Sequence, residues 1–320
     1  MELIEKPTHD QIKKAAHALK VGHLVAFPTE TVYGLGADAT NEKAVSCIYS
    51  VKGRPSDHPL IVHIPSIAHL DRWAMGIREY AIDLAKNYWP GPMTLILRRR
   101  EIAKDFITGG QDNVGVRVPA QPVALSLLSE FEALGGYGIA APSANRFGAV
   151  SPTNAESVVE ELGKYLKESD LILDGGQCLV GVESTIIDCT KDYPVVLRPG
   201  AVTAEMITQT TGFKTPPDGA NNKIRASGSL ESHYSPKAKV VIGTYSAPGN
   251  GFIAMANLPT PIGAIRLASP ENIEQYARDF YLALREGDRR ELKKITVIQP
   301  DGEGLAAAIR DRCEKAAAGS

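Results

Sequence analysis

Short apolar runs alternate with amphipathic segments along most of the chain. Runs such as HLVAF, PLIVHI and MTLILRR are typical of buried strands, and the stretches between them place apolar residues every three or four positions, as helices do. Thr8 and Gln11 have the spacing of a capping box, which predicts a helix that runs to Gly22. Apolar strands interleaved with helices predict an α/β fold, with a sheet of mixed direction covered by helices.

The alternation is interrupted between Phe213 and Lys237. This segment is rich in Pro, Gly, Ser and Asn and has no hydrophobic periodicity, which is typical of a linker. Strand and helix patterns resume after it, in an order typical of a small Rossmann-like α/β unit. The sequence therefore predicts a first domain over residues 1–212, a linker over 213–237 and a second domain over 238–320.

Composition narrows the class of protein. A length of 320 residues exceeds the size at which single cores stop growing, in agreement with two domains. The 35 Lys and Arg against 37 Asp and Glu give a net charge of -2, so no overall attraction to nucleic acid is expected. The four cysteines form no C-x-x-C pair, which argues against a zinc site or a disulfide framework. With no apolar run of membrane-spanning length and no signal-peptide core, we expect a soluble, cytoplasmic protein.

Polar side chains follow the predicted strands in the first part of the chain. An apolar strand ends at Pro28 and is expected to lead into a loop that Gly34 and Gly36 keep open. Strand ends and the loops after them are where α/β proteins bind ligands. Hydroxyls, two cations and an imidazole in so short a stretch predict a site for a small, anionic, phosphorylated ligand. The side chains concerned are Thr29, Glu30, Thr31, Tyr33, Lys52, Arg54 and His63.

Later strands add further candidates, and several have an ordinary structural alternative. Arg117 lies within the apolar strand VGVRVP, where a charge needs either an anionic ligand or an ion pair with a nearby acid. Lys52 and Arg54 could instead end a solvated helix, and His63 could be a hydrogen-bonded core residue. Ser151 could be the N-cap of the helix that follows it. The other candidates that follow strands are Ser143, Asn145, Ser184 and Arg198.

Common nucleotide-binding and nucleophile motifs do not explain this pattern. The chain contains no G-x-x-x-x-G-K-[ST] sequence. A G-x-G-x-x-A match that begins at Gly136 follows a predicted helix and precedes a predicted strand, the reverse of a dinucleotide-binding turn. Ser184 has neither a G-x-S-x-G setting nor a histidine to complete a triad. Nucleotide binding would therefore require a different arrangement.

Taken together, the candidate segments resemble one known family. The segments FPTETVYGLGADA, KGRPSDHPLIVHI, WPGPMTLIL, VGVRVPA, APSANRFGAVSPT, LILDGG, GVESTIIDC and LRPGAV occur in the order found in the YrdC/Sua5 family, the threonylcarbamoyl-AMP synthases. The resemblance covers about residues 10 to 212 and continues through SHYSPKAKV. It implies a YrdC-like twisted mixed sheet with flanking helices, plus the smaller C-terminal domain of the longer, Sua5-type members.

The resemblance also implies an activity. Members of the family condense L-threonine, bicarbonate and ATP, which brings Mg²⁺ with it, into L-threonylcarbamoyladenylate and pyrophosphate. The product passes to the tRNA threonylcarbamoyl transferase machinery that modifies adenosine 37, and tRNA itself is a candidate partner. Motif by motif, the L-threonine contacts implied for this chain are Thr29, His63, Arg117, Ala141 and Ser184. The ATP contacts implied are Lys52, Arg54, Thr108, Ser143, Asn145, Ser151, Arg198 and Tyr234.

The reaction that the resemblance implies requires positive charge in the site more than a strong base. Attack of a carbamate on the α-phosphate brings an anion onto a polyanion, and Lys52, Arg54 and Arg117 are the cations assigned to that step. One alternative is a carbamoyl transferase that uses carbamoyl phosphate, but its acylphosphatase-like domain and paired-cysteine zinc segments are absent here. The other is a non-catalytic RNA-binding module, which the slightly acidic composition disfavours.

Overall fold

The computed structural model describes residues 1–214, 224–226, 228 and 234–319. The larger of its two sheets has the strand order β1-β8-β2-β3-β7-β4-β6-β5-β9-β10 and contains both parallel and antiparallel pairs. Its strands are β1 (Glu2–Glu5), β2 (Val25–Phe27), β3 (Gly34–Asp38), β4 (Ile61–His63), β5 (Met93–Arg98), β6 (Asn113–Arg117), β7 (Ile139–Ala140), β8 (Leu171–Asp174), β9 (Thr185–Asp188) and β10 (Val195–Arg198).

Helices cover both faces of this sheet. Along β2, Val25 and Phe27 pack against α1 and α6, whereas Ala26 belongs to the core on the opposite face. This alternation is the two-residue period of a strand covered on both sides. The helices are α1 (His9–Lys20), α2 (Glu42–Lys52), α3 (Leu70–Trp73), α4 (Glu79–Tyr88), α5 (Asp105–Thr108), α6 (Pro122–Ala133), α7 (Ala155–Leu162) and α8 (Ala204–Thr211).

The helix signals in the sequence are mostly confirmed. The reciprocal hydrogen bonds of the capping box between Thr8 and Gln11 are both present, and α1 ends at Lys20, shortly before Gly22. Gly53 ends α2 in a left-handed conformation with a φ of 62°. The alternative in which Ser151 caps the next helix is excluded, because Asn154 caps α7 and the Ser151 hydroxyl donates to Glu183.

The prediction of an open loop at Gly34 and Gly36 is also wrong. Both glycines lie in β3, which pairs antiparallel with β2 and with β7. A Cβ on Gly36 would lie 2.8 Å from side-chain atoms of both Phe27 and Ile139. Glycine is therefore required at this position because the side chains of Phe27 and Ile139 pack directly against its backbone. The sequence pattern alone does not show whether a glycine serves close packing or a flexible loop.

The second sheet follows the linker region. All its pairs are parallel, in the order β11-β14-β12-β13, in agreement with the expected α/β unit. The predicted boundaries of the linker stay a prediction, since residues 215–223, 227 and 229–233 lie outside the described residues, as do the first two residues of the SHYSP motif. The elements are β11 (Lys239–Ile242), β12 (Gly251–Ile253), β13 (Ile265–Ala268), β14 (Lys294–Val297), α9 (Ile273–Arg289) and α10 (Leu305–Ala318).

Candidate active site

One cavity of the described structure collects most of the predicted site residues. It lies where β2, β4 and β6 end and where β9 begins, and it holds about 540 Å³ of space not filled by atoms, part of it open to solvent. The predicted residues that line it are Thr29, Arg54, His63, Arg117, Ala141, Ser143, Ser184, Arg198 and Tyr234.

Arg117 both lines the cavity and forms an ion pair. Its Nη2 donates to Glu30 Oε1 at 2.6 Å and to Thr31 Oγ1 at 3.0 Å. The second carboxylate oxygen of Glu30 accepts from the Ala120 amide at 3.0 Å, which fixes the acid in turn. Nη1 of Arg117 makes no hydrogen bond within the described residues, so this guanidinium is oriented by the protein and still has donors for an anion.

His63 lies beside Arg117, as its neighbour in register across β4 and β6. The side chain is buried, and its Nδ1 has no hydrogen-bond partner among the described residues. Burial, together with the charge of Arg117, lowers the pKa of His63 to about 3. The imidazole is therefore neutral at pH 7, and an unpaired ring nitrogen that lines a cavity is suited to a hydrogen bond with a ligand.

Thr29 organises the loop between β2 and β3. Its Oγ1 donates to the Val32 carbonyl at 2.7 Å, accepts from the amides of Thr31 and Val32 and contacts Thr31 Oγ1 at 2.8 Å. Such a side-chain-to-backbone turn holds a short loop without regular secondary structure. Because Thr31 also bonds Arg117, the hydroxyl of Thr29 is coupled to the position of the guanidinium.

Ser184 and Arg198 form the opposite wall. Arg198 donates from Nε and Nη2 to the Ser184 carbonyl at 3.0 and 2.9 Å, and from Nη2 to Ser184 Oγ at 3.1 Å. Thr94 completes the network with a 2.8 Å contact to Ser184 Oγ. These hydrogen bonds consequently fix the Ser184 hydroxyl and the Arg198 guanidinium relative to each other, directly before the start of β9.

Four predicted residues lie outside the lining of the cavity, and three of them, Lys52, Asn145 and Ser151, belong to the network behind it. Lys52 Nζ donates to the carbonyls of Ser143 and Asn145 at 2.6 and 2.5 Å, and these two hydrogen bonds fix the loop after β7. Burial, with the nearby charge of Arg54, lowers its pKa well below the usual value. Asn145 bonds the carbonyls of Arg146 and Ala149, and Ser151 bonds Glu183. Thr108 is not brought to the cavity, because its hydroxyl accepts from Arg99, which does not line it.

The cavity has the electrostatics of an anion site. Three arginines reach its lining, and burial lowers the pKa of Arg54 only to about 10, so its guanidinium remains charged at pH 7. The Arg54 guanidinium also lies 5.7 Å from the centre of the Phe147 ring, which helps to orient it. Buried guanidinium groups of this kind bind carboxylates and phosphates through paired N–H donors.

Tyr234, from the predicted linker, closes one side of the cavity. It is 1% exposed and has a φ of 62°, an unusual conformation for a residue with a side chain. Its ring lies 5.5 Å from that of Tyr281 and 5.4 Å from the guanidinium of Arg312. A residue of the linker region is thus held at the cavity by the two C-terminal helices.

The described residues form neither a metal site nor a membrane-spanning helix. No group of three His, Cys, Asp or Glu side chains is arranged to hold a metal ion. Within the same residues, no helix combines the length and apolarity needed to cross a membrane.

Two family models match consecutive parts of the chain. One, described as "Telomere recombination" and defined by Sua5, YciO and YrdC proteins, matches residues 17–200. The chain belongs to the Sua5/YciO/YrdC family. The second, described as "Threonylcarbamoyl-AMP synthase, C-terminal domain", matches residues 202–318, as in the longer Sua5-type members.

Full-length relatives agree with this assignment. A threonylcarbamoyl-AMP synthase of Pyrococcus abyssi is 38% identical over 327 residues, which covers 96% of this chain and 94% of that protein. One from Bacillus subtilis is 38% identical over 337 residues, with 98% and 95% covered. The crystal structure of P. abyssi Sua5 complexed with L-threonine matches with a TM-score of 0.88 at 37% identity, covering 99% of this chain and 97% of that one. The predicted fold and family are confirmed.

Residues of this Sua5-type site that the sequence did not assign are mainly acids. Glu30 bonds Arg117, and Glu183 lines the cavity between Ser151 and the C-terminal helices. Glu30 stands within the PTET segment, but nothing in its spacing identifies an arginine 87 residues later as its partner. Arg117 itself carried the available signal, since a charge inside an apolar strand requires an acid or an anion.

Proposed function

We propose that this protein is an L-threonylcarbamoyladenylate synthase. It would condense L-threonine, bicarbonate and ATP to threonylcarbamoyl-AMP and release pyrophosphate. The observation that carries the proposal is the convergence in one cavity of three arginines and of His63, whose Nδ1 has no hydrogen-bond partner among the described residues. Similarity over nearly the whole chain to proteins named for this activity supports it.

The amino-acid side of the reaction is assigned to the walls around Arg117. Its oriented guanidinium suits the threonine carboxylate, since the Nη1 donors face no protein acceptor among the described residues. Neutral His63 can accept a hydrogen bond through Nδ1 from the threonine amine or hydroxyl. Thr29 and Ser184 add hydroxyls, and Ala141 offers only backbone groups. The neutral substrate amine would then attack CO₂ and release one N–H proton, or attack bicarbonate with loss of water, and the new N–C bond gives a carbamate.

The nucleotide side is assigned to Arg54, Arg198 and the loop that contains Ser143. A carbamate oxygen attacks the α-phosphate of ATP, a P–O bond to the β-phosphate breaks, and pyrophosphate leaves. Arg54 and Arg198 would stabilise the charge that develops in this step, while Mg²⁺ enters bound to the phosphates of the substrate. Lys52 contributes by fixing the Ser143–Asn145 loop. The other residues assigned to this side are Thr108, Asn145, Ser151 and Tyr234.

The product is a mixed anhydride, so a second protein must consume it. We assign that role to a tRNA threonylcarbamoyl transferase that modifies adenosine 37, with tRNA as a candidate contact of this protein as well. ATP, threonine and tRNA occur together in the cytoplasm, which is where we place the reaction.

Pyrophosphate release tests the proposal. The purified protein is incubated with MgATP, with or without bicarbonate, and with threonine, serine, carbamoyl phosphate or no further substrate. We expect release that depends on threonine and bicarbonate, with less from serine. Turnover that depends on carbamoyl phosphate would identify a carbamoyl transferase instead. Absence of turnover together with tRNA binding that weakens steeply with salt would identify an RNA-binding module.

A further inference from the structure

A buried carboxylate joins the cavity to the C-terminal helices. Glu183 is 5% exposed, lies in the loop before β9 and lines the cavity. Its Oε1 accepts from Ser151 Oγ at 2.7 Å, and its Oε2 accepts from Tyr281 Oη at 2.8 Å and Arg312 Nε at 2.9 Å. Two of these three side-chain donors thus come from α9 and α10, outside the larger sheet and its loops.

Arg312 contacts three segments that surround the cavity. Besides Glu183, its Nη2 donates to the Pro199 carbonyl, in the turn after β10, at 2.9 Å. Its guanidinium also lies over the ring of Tyr234, as described above. Arg312 is fully buried, so the side chain has no role at the protein surface. One residue of α10 therefore bridges the loop before β9, the turn after β10 and the linker region.

The loop that carries Glu183 is also pressed directly against α9. Gly181 has a φ of 79°, and a Cβ at this position would lie 2.3 Å from the Cα of Arg278. Only glycine permits so close an approach of the two backbones. This contact is independent of the Glu183 hydrogen bonds, and it fixes the same loop from its other end.

The electrostatics of the pair agree with a fixed, charged carboxylate. Burial by itself would raise the pKa of Glu183, but Arg312 and Arg198, with the hydrogen bonds from Ser151 and Arg312, lower it to about 2. Glu183 is therefore ionised at neutral pH. The next residue, Ser184, is the one that Arg198 grips through its carbonyl and hydroxyl. A shift of Glu183 would consequently move both Ser184 and Arg198.

We propose that Arg312 and Tyr281 are positioning residues of the active site. By holding Glu183 they set Ser184, Arg198 and Tyr234 in the cavity, so the C-terminal helices complete a site whose ligand-facing groups belong to other segments. The proposal rests on the proposed function, and it differs from the view that these helices merely dock on the sheet.

Matched hydroxyl deletions separate the two views. Tyr281→Phe removes one donor to Glu183 and keeps the ring. Tyr276→Phe makes the same change on the same helix, where the hydroxyl donates at 2.9 Å to the Ile298 carbonyl within the second domain. We expect Tyr281→Phe to lower kcat/KM for threonine-dependent pyrophosphate release about tenfold, the effect of one hydrogen bond to a charged group. Tyr276→Phe should keep wild-type kcat/KM at a similar melting temperature.

Changes at Arg312 give a second measurement. Arg312→Lys keeps the charge but cannot bond Glu183 and Pro199 together, and we expect it to retain more activity than Arg312→Met. Arg289→Ala is the control, because Arg289 is exposed and its partners, Glu156, Glu160 and Glu286, do not line the cavity. Its kcat/KM should remain at the wild-type value. If Arg312→Met does not fold, Arg312→Lys and Tyr281→Phe still distinguish a positioning role from a merely structural one.

The outcomes distinguish this inference from the proposed function. A wild-type protein without threonine-dependent turnover overturns both. An active wild type in which Tyr281→Phe matches Tyr276→Phe, or Arg312→Lys matches Arg289→Ala, in kcat/KM overturns the positioning role alone. A selective loss in the Glu183-linked variants at unchanged melting temperature supports it.

Discussion

Arg117 and Glu30 form a buried ion pair beside the cavity, with Nη2 of the arginine 2.6 Å from Oε1 of the acid. The side chains are only 5% and 7% exposed. The ion-pair explanation offered by the sequence therefore applies to Arg117, which also faces the cavity, while its contact with an anionic ligand stays a prediction. The pair orients the guanidinium in advance of any ligand, which lowers the ordering cost of binding.

Removal of Arg117 should abolish threonine binding and should also lower the folding stability, because it leaves a buried acid unpaired. Arg117→Met leaves the Glu30 carboxylate buried without its cation, which costs about 3–5 kcal/mol of folding stability. The double variant Glu30→Gln/Arg117→Met should recover much of that loss but still fail to bind threonine. Urea unfolding and threonine calorimetry measure the two effects.

Arg78→Met is the control for this pair, because its partner Asp192 lies in an exposed salt bridge. We expect a change of less than about 1 kcal/mol in its unfolding free energy. Normal threonine affinity in the double variant would contradict the role assigned to Arg117.

His63 should make the protein sensitive to mild acid. Its pKa in the folded protein is about 3, below the ordinary value of 6.5, so below pH 6.5 the unfolded chain binds a proton that the folded protein does not. The contribution of His63 to the free energy of unfolding is therefore fully present above pH 6.5 and is lost as the pH falls towards 3. Between pH 7.5 and 5 the loss is about 2 kcal/mol.

Urea unfolding at these two pH values tests this effect in the wild type, His63→Gln and His17→Gln. His17 is exposed on α1 and serves as the control. We expect His63→Gln to lose less stability on acidification than the other two proteins. Equal losses in all three would show that His63 titrates normally.

The wrong prediction of a loop at Gly36 leads to a packing test. Gly36→Ala would place a methyl group against Phe27 and Ile139, and overpacking of this kind costs about 1–3 kcal/mol. Gly243→Ala is the control, since no described atom lies within 4 Å of its Cβ position. Gly36→Ala should have a lower melting temperature than Gly243→Ala. An unchanged melting temperature for Gly36→Ala would show that β3 accommodates a methyl group at this position.

Tyr234 should matter more for the nucleotide than for threonine. We expect Tyr234→Ala to weaken ATP binding about tenfold, as loss of one aromatic contact to a base does, and to change threonine affinity less. Tyr245→Ala, a change at a tyrosine 69% exposed in the second domain, provides the comparison. Calorimetry with each substrate measures both affinities, and an equal loss of both, or of neither, would count against the assignment.

The sequence predicted the regular elements because burial on both faces leaves a clear pattern. Apolar runs gave β2, β4 and β5, and the spacing of Thr8 and Gln11 gave the start of α1. β1 was missed because only Ile4 of its four residues is buried. β3 was missed because its two glycines resemble a turn, although close packing is what requires one of them.

The site was predictable as a set of residues but not as a network. Motif order named nine residues that line one cavity, since strand ends meet at one edge of the sheet, and their roles stay a prediction. The partners of Glu30 and Glu183 were not predictable, because they lie 87 and 129 residues away along the chain. Pairing over such distances depends on the tertiary structure, and local pattern carries no information about it.

Label transfer from bicarbonate tests the central proposal most directly. The protein is incubated with MgATP, L-threonine and ¹³C-bicarbonate, and the nucleotide products are identified by mass spectrometry. We predict a threonylcarbamoyl adenylate that carries the heavy carbon, formed in step with pyrophosphate. The absence of any such adenylate, or a carbamoyl group that arises only from carbamoyl phosphate, would contradict the proposal.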